Sequence, residues 1–191
     1  MSGVVPPNLG AVNVPIALTL GRIVAIPAVM ALILVDDLSH NYGIAAAVFT
    51  VAALTDFVDG WLARRWDQTS IMGAFLDLTA DKLLVTGTLA ALLVADRVNI
   101  WLAFIIIARE IAVMALRGVA ANAGKMVPAS QWGKWKATVQ FTAIGLAIVR
   151  LPDPWGPLHL DEWAMIAAVI ITVVSALDYV IRFRSVLFAH A

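Results

Sequence analysis

Residues 55–82 read TDFVDGWLARRWDQTSIMGAFLDLTADK and place four aspartates in two otherwise apolar segments joined by a short polar bridge. Asp56 and Asp59 are three residues apart, and Asp77 and Asp81 are four apart, so each pair lies on one face of a predicted helix. An aspartate at the centre of a membrane helix costs about 2.5–3.5 kcal/mol on insertion scales. Four such residues therefore indicate a site at which a ligand or an ion compensates the charge.

The sequence around this stretch has the composition of a membrane protein. Of 191 residues, 62% are apolar and 14% are charged, whereas an average soluble domain is about 45–50% apolar and about 25% charged. Six apolar runs approach the length of about 20 residues that a membrane helix needs. They cover residues 16–35, 42–66, 73–95, 98–121, 133–150 and 163–183. The sequence predicts an all-α integral membrane protein, with an N-terminal juxtamembrane segment at 1–15 and one six-helix domain at 16–191.

Basic residues predict the orientation of these spans. An even number of spans puts both termini on one side of the membrane. That side holds seven basic residues, namely Arg64, Arg65, Lys125, Lys134, Lys136, Arg182 and Arg184, while acidic residues dominate the opposite loops. Because an excess of Lys and Arg marks the cytoplasmic side, both termini are predicted to be cytoplasmic.

Composition also excludes several classes of function. Thirteen basic and thirteen acidic residues give zero net charge, so no basic excess indicates a nucleic-acid partner. The absence of cysteine excludes disulfides and thiolate metal sites. His40, His159 and His190 are far apart in sequence, which argues against a histidine metal site.

The four aspartates have the spacing of a two-metal centre. If the two spans fold antiparallel about the bridge, Asp56 lies level with Asp81, and Asp59 lies level with Asp77. The two levels are then about 5 Å apart, and the ions of two-metal sites are about 3.5–4 Å apart. Oxygen ligands without Cys or His favour Mg²⁺ or Mn²⁺. The predicted site is an inner-leaflet pocket that is open to the cytoplasm.

Small and polar residues beside the aspartates predict access for a ligand. Gly60 and Gly73 have no side chain that would block a bulky ligand, although small residues in membrane helices also serve close packing. Arg64 could neutralise an aspartate or bind a phosphate, and Ser70 on the bridge could donate a hydrogen bond to a phosphate.

This pattern resembles the signature of the CDP-alcohol phosphotransferase family. It reads Asp56-x2-Asp59-Gly60-x2-Ala63-Arg64-x8-Gly73-x3-Asp77-x3-Asp81 and matches at every fixed position. The resemblance implies a six-helix membrane fold, usually a homodimer, that displaces CMP from a CDP-alcohol by attack of a second alcohol. It implies that the four aspartates bind two divalent cations. Spacing alone leaves Asp56 and Asp81 open as the general base, and the resemblance favours Asp81.

The resemblance also assigns residues to a CDP-diacylglycerol donor. These are Gly60, Ala63, Arg64, Ser70, Gly73 and Thr19. Thr19 belongs to an N-terminal stretch, residues 13–22, that is similar to the motif NxPNxLTxxR, with Ile16 in place of the second Asn.

Beyond the signature, two stretches resemble the fourth and fifth spans of the bacterial phosphatidylglycerophosphate synthase branch: Ala108-Arg109-Glu110 with Arg117, and Gly133-Lys134-Trp135-Lys136. This resemblance implies glycerol 3-phosphate as the acceptor. Four cationic residues of the fourth and fifth spans are predicted to bind its phosphate: Arg109, Arg117, Lys134 and Lys136. Alternatively, Arg109 pairs with a carboxylate, Arg117 extends to the interface, and only one of the two lysines points inward. Glu110 is interpreted as orienting Arg109. Lys82 is interpreted as structural, because it follows Asp81 at about 100° around the helix.

Two groups of alternatives remain open from the sequence. Within the family, the acceptor could be serine, inositol phosphate, phosphatidylglycerol or another lipid alcohol, and the basic cluster favours a phosphorylated one. From another class, a divalent-cation transporter also uses intramembrane carboxylates. Against the transporter, all four aspartates lie near one side, and no polar string continues through the outer half.

Overall fold

A computed structural model of the chain describes residues 14–35, 40–65, 71–122 and 131–187. Most of this part is helical, in agreement with the all-α prediction. The helices are α1 (Val14–Leu34), α2 (Asn41–Arg65), α3 (Ile71–Val94), α4 (Ile100–Asn122), α5 (Gln131–Val149) and α6 (Leu160–Leu187). Each helix begins and ends within a few residues of a predicted span. A short antiparallel hairpin of β1 (Pro154–Trp155) and β2 (Leu158–His159) precedes α6. Of the predicted N-terminal segment, residues 1–13 lie outside the described residues.

Local hydrogen bonds explain where the helices begin and end. The side chain of Asn99 caps α4 by accepting a hydrogen bond from the backbone N–H of Trp101 at 2.9 Å. Asp96 ends α3 in the left-handed conformation, with φ of 53°. Glu162, in the first turn of α6, accepts a hydrogen bond from the backbone N–H of His159 at 2.7 Å. Polar residues between the apolar runs thus mark the end of α3 and the starts of α4 and α6, where helix ends leave backbone groups unpaired.

The outer surfaces of the helices are strongly apolar. The runs Ala17–Leu34 and Leu160–Arg182 are long and apolar enough to cross a bilayer, and Asn41–Thr55 forms a shorter apolar run. Only 28% of each longer run is buried inside the protein. Most of their residues are therefore at least partly exposed, as lipid-facing residues are, and a soluble protein rarely exposes so much contiguous apolar surface.

The start of α2 and the turns that follow α3 and α5 meet at one end of the bundle. The guanidinium of Arg97, after α3, lies 3.5 Å from the centre of the Tyr42 ring at the start of α2. Arg97 also donates a hydrogen bond to the carbonyl of Ile148 at 2.9 Å, and Arg150 donates one to the carbonyl of Asp96 at 3.3 Å. The first turns of α3 and α5 and the last turn of α4 therefore share the opposite end.

Helices α1 and α3 approach each other closely at Gly87. A Cβ atom at this position would lie 2.9 Å from Cγ2 of Ile26 and 3.2 Å from Sδ of Met30. Since real Cβ atoms do not approach other atoms so closely, the missing side chain permits the contact. The same pair of helices carries Arg22 and Asp77, which form an ion pair.

Candidate active site

The two aspartates of α3 keep the geometry that their spacing predicts. Asp77 and Asp81 lie one helical turn apart, and their side chains are 42% and 22% exposed. Each carboxylate contacts one cation among the described side chains: Asp77 Oδ1 lies 3.1 Å from Arg22 Nη1, and Asp81 Oδ2 lies 2.5 Å from Lys82 Nζ. Both carboxylates are partly accessible to a ligand that approaches the end of the bundle.

Arg22 is a site residue to which the sequence analysis gave no role. It is 2% exposed, and its Nε donates a hydrogen bond to the carbonyl of Ala52 at 3.1 Å while Nη1 contacts Asp77. One side chain thus connects α1, α2 and α3 beside the aspartates. Its sequence signal was an arginine inside an apolar span, where a cation is costly and is retained for a purpose. Thr19, predicted to bind the donor, is also 2% exposed and lies three residues earlier, on the same helix face.

The remaining residues of the predicted donor and metal sites fall mostly outside the described side chains. Helix α2 includes Asp56, Asp59, Gly60, Ala63 and Arg64, but only its backbone is described there. Ser70 lies outside the described residues, whereas Gly73 lies in the first turn of α3 and is partly buried. The proposed pairing of aspartates between α2 and α3 therefore remains a prediction.

The described donor atoms are compatible with a hard divalent cation. Among the described side chains, no group of three or more His, Cys, Asp or Glu residues forms a metal cluster. Asp77 and Asp81 would supply two of the four predicted carboxylates, and Asp56 and Asp59 would supply the others. The partly exposed oxygens of the first two suit Mg²⁺ or Mn²⁺, which prefer carboxylate ligands.

A cavity of about 390 Å³ lies between α3, α4 and α5 and brings together Asp81 and the four cations predicted to bind the acceptor. Five cationic residues and two carboxylates line it, a formal excess of three positive charges. They are Lys82, Arg109, Arg117, Lys134 and Lys136, with Asp81 and Glu110. Such an excess in a concave site attracts an anionic ligand.

Glu110 is the centre of the charge network in this cavity. It is 2% exposed, and its carboxylate meets Lys82 at 2.6 Å, Arg109 at 3.3 Å and Lys136. A buried charge is tolerated when it is paired in this way. Glu110 therefore does more than orient Arg109, since it neutralises cations from three helices.

The side chain of Lys82 points in a direction that the sequence did not predict. The interpretation that Lys82 points away from Asp81 is wrong, because its Nζ contacts both Asp81 and Glu110. The angle around the helix fixes only the direction of the Cα–Cβ bond, and the four-carbon stem of lysine reaches back to the neighbouring carboxylate.

The four predicted phosphate-binding residues differ in how firmly they are held. Arg109 donates a hydrogen bond to Oγ of Ser175 at 2.7 Å, and the Arg117 guanidinium lies 5.7 Å from the centre of the Tyr179 ring on α6. Lys136 is 5% exposed, whereas Lys134 is exposed. Arg109 and Lys136 thus pair with Glu110 inside the protein, while the charges of Arg117 and Lys134 lie closer to solvent.

Comparison with known proteins relates this geometry to a family. Residues 12–174 match the family model described as CDP-alcohol phosphatidyltransferase. The chain is 39% identical over 183 residues to a CDP-diacylglycerol–glycerol-3-phosphate 3-phosphatidyltransferase of Escherichia coli, covering 91% of this chain and 96% of that protein. Proteins of the same name in Bacillus subtilis (37% over 181 residues, 87% and 93% covered) and Haemophilus influenzae (36% over 170 residues, 86% of each) are similar.

Proposed function

The chain belongs to the CDP-alcohol phosphatidyltransferase family, and we propose that it transfers the phosphatidyl group of CDP-diacylglycerol to glycerol 3-phosphate in phospholipid biosynthesis. The products are phosphatidylglycerophosphate and CMP. The substrates come from the names of the relatives, and the observation that carries the proposal is the cavity that joins Asp81 to a cationic wall.

The cavity supports glycerol 3-phosphate as the acceptor on electrostatic grounds. The acceptor phosphate is dianionic near neutral pH, and the wall has a formal excess of three positive charges. Charge-assisted hydrogen bonds from Arg and Lys to phosphate are roughly twice as strong as neutral ones. An acceptor with no net charge, such as zwitterionic serine, would leave this excess without a matching counter-charge.

The reaction is a displacement at phosphorus. Asp81 removes the proton from the attacking hydroxyl, and the acceptor oxygen then bonds to the phosphatidyl phosphorus as the bond to CMP breaks. Arg117 and Lys134 hold the acceptor phosphate, which aligns the hydroxyl with the donor. Divalent cations bound by Asp56, Asp59, Asp77 and Asp81 would supply charge neutralisation on the diphosphate.

The donor is proposed to bind beside the aspartates of α2 and α3. Gly60, Ala63, Arg64, Ser70, Gly73 and Thr19 are the residues that contact its nucleotide or diphosphate. The acyl chains need no motif of their own, because an apolar groove between helices admits them sideways from the inner leaflet. This arrangement requires the active site to face the cytoplasm, where CMP leaves.

We propose that the protein is a homodimer in the bacterial cytoplasmic membrane. In this proposal each chain has six membrane spans, and both of its termini lie in the cytoplasm. The apolar outer surface of the described helices supports insertion in a bilayer. The excess of basic residues on the side of the termini supports the orientation.

The decisive experiment measures CMP release. Purified protein in mixed micelles of CDP-diacylglycerol, with glycerol 3-phosphate and Mg²⁺ or Mn²⁺, should release one CMP for each phosphatidylglycerophosphate formed. Chelation by EDTA should abolish the release, and added metal should restore it. A panel of serine, inositol phosphate and phosphatidylglycerol identifies the acceptor. CMP release only with another acceptor, or none with any, would contradict the proposal.

Replacement of Arg117 or Lys134 by Ala should weaken acceptor binding selectively. Each residue lines the cavity without contacting Glu110, so its removal is expected to leave the buried network intact. We expect KM for glycerol 3-phosphate to rise about tenfold or more, which corresponds to a charge-assisted hydrogen bond of about 1.5–3 kcal/mol.

The same kinetics should show little change in KM for CDP-diacylglycerol. Arg182→Ala is the matched control, because Arg182 is an exposed cation that pairs with Asp178 on α6 and does not line the cavity. Equal increases in both KM values would count against these two residues as acceptor ligands.

A further inference from the structure

Gln140 is a buried polar residue for which the described part of the chain offers no partner. It is 1% exposed, and neither Oε1 nor Nε2 makes a hydrogen bond with any residue that the structure describes. A buried amide without hydrogen bonds is costly, and such groups are rare in native proteins. Gln140 lines the same cavity as Asp81 and the acceptor cations, so a ligand in that cavity would lie beside it.

Gln140 lies deeper in the cavity than Lys134, an exposed cation of the same helix. It follows the buried Lys136 by four residues, so both lie on one face of the helix. It follows the exposed Lys134 by six residues, which is about 9 Å along the helix axis. The α5 wall of the cavity therefore changes from positive charge near solvent to a neutral amide inside the protein.

The chemistry of the amide identifies what it can recognise. A primary amide both donates and accepts hydrogen bonds, as a hydroxyl does, whereas a phosphate dianion only accepts. Among the described residues that line this cavity, Gln140 is the single uncharged polar side chain, and its neighbour Phe141 is apolar. A hydroxyl of the acceptor would satisfy both orphaned atoms without competing for the phosphate.

We propose that Gln140 determines specificity by hydrogen-bonding the non-reacting hydroxyl of the acceptor, on the middle carbon of glycerol 3-phosphate. The inference rests on the proposed function. It assigns to the Gln140 amide the recognition of the second hydroxyl, which a polyol phosphate has and a simple hydroxyalkyl phosphate lacks. A site built to bind a hydroxyl rejects an analogue that lacks it, because its polar groups then remain unpaired.

Two acceptors and two enzymes test this assignment. The second acceptor is propane-1,3-diol phosphate, which is glycerol 3-phosphate without the middle hydroxyl. Gln140→Met preserves length and removes the amide. We expect the variant to lower kcat/KM for glycerol 3-phosphate about tenfold or more, and to change kcat/KM for the diol phosphate less than about threefold. An equal loss with both acceptors would overturn the assignment.

Thermal stability separates this role from a structural one. If the Gln140 amide is satisfied only by a bound ligand, Gln140→Met should raise or preserve the melting temperature of the acceptor-free protein. The substitution replaces a buried polar group that lacks hydrogen bonds with an apolar one. A clear fall would overturn the proposal. Thr88→Val is the matched control and should leave both kcat/KM values unchanged. Thr88 is fully buried, its hydroxyl has no hydrogen-bond partner among the described residues, and it does not line this cavity.

Wild-type and variant activities distinguish a failure of the proposed function from a failure of the Gln140 assignment. A wild-type enzyme that does not use glycerol 3-phosphate removes the proposed function together with the inference. A wild-type enzyme that uses it, with a Gln140→Met variant that loses nothing selective for the middle hydroxyl, removes only the inference.

Discussion

Asp81→Asn is expected to reduce the rate of CMP release by about a thousandfold. Asn retains the size of the side chain and loses the charge, so the acceptor hydroxyl loses the group proposed to take its proton. General base catalysis contributes about 10²–10⁴-fold, and Asp81 is also one of four proposed metal ligands. The measurement is kcat at saturating CDP-diacylglycerol and glycerol 3-phosphate.

Two comparisons make the result specific to Asp81. Asp178→Asn removes a carboxylate of α6 that pairs with Arg182 outside the cavity, and it should retain full activity. The melting temperature of Asp81→Asn should stay near that of the wild type, because Asp81 is partly exposed. An Asp81→Asn enzyme with more than a tenth of wild-type kcat would contradict the proposed base.

Glu110→Gln is expected to have the largest effect on stability. The carboxylate of Glu110 is almost fully buried and meets Lys82, Arg109 and Lys136. Its neutralisation leaves buried cations without a counter-charge, which typically costs about 3–5 kcal/mol. For a chain of this size, we expect the melting temperature in detergent to fall by about 10 °C.

A second variant distinguishes lost charge balance from lost packing. Lys136→Met in the Glu110→Gln background removes one of the uncompensated cations, and it should recover part of the lost melting temperature. Asp178→Asn again serves as control: its pair with Arg182 is more exposed, and such pairs contribute about 0–1 kcal/mol. A Glu110→Gln protein as stable as the wild type would show that the network adds no stability.

The sequence predicted the helices well because apolar length is a strong local signal. The predicted runs agree with α1 to α6 within a few residues, since polar turn residues such as Asn99 and Asp96 mark the ends. Sequence periodicity also predicted that Asp77 and Asp81 share one face. These features depend on neighbours within one or two turns.

The sequence could not predict which charges meet between helices. Arg22 contacts Asp77, which lies 55 residues later in the sequence, and Glu110 of α4 forms an ion pair with Lys136 of α5. Both pairings depend on tertiary packing, including the close approach of α1 and α3 at Gly87. The interpretation of Lys82 was wrong because its long side chain reaches back to the carboxylate of Asp81. Gln140 resembled an ordinary polar residue in sequence, and only its burial without partners beside the cavity distinguishes it.

The charge network also bears on how the polypeptide enters the membrane during synthesis. Lys82 follows Asp81 directly, and Arg109 precedes Glu110 directly, and both neighbouring pairs are in contact. In the proposed six-span arrangement, helices α3 and α4 therefore each enter the membrane with such a neighbouring ion pair of their own. Helix α5 contains Lys134 and Lys136 but no acidic residue. In that arrangement the insertion of α5 depends on an earlier helix, because Lys136 acquires its counter-ion only when α5 docks against Glu110.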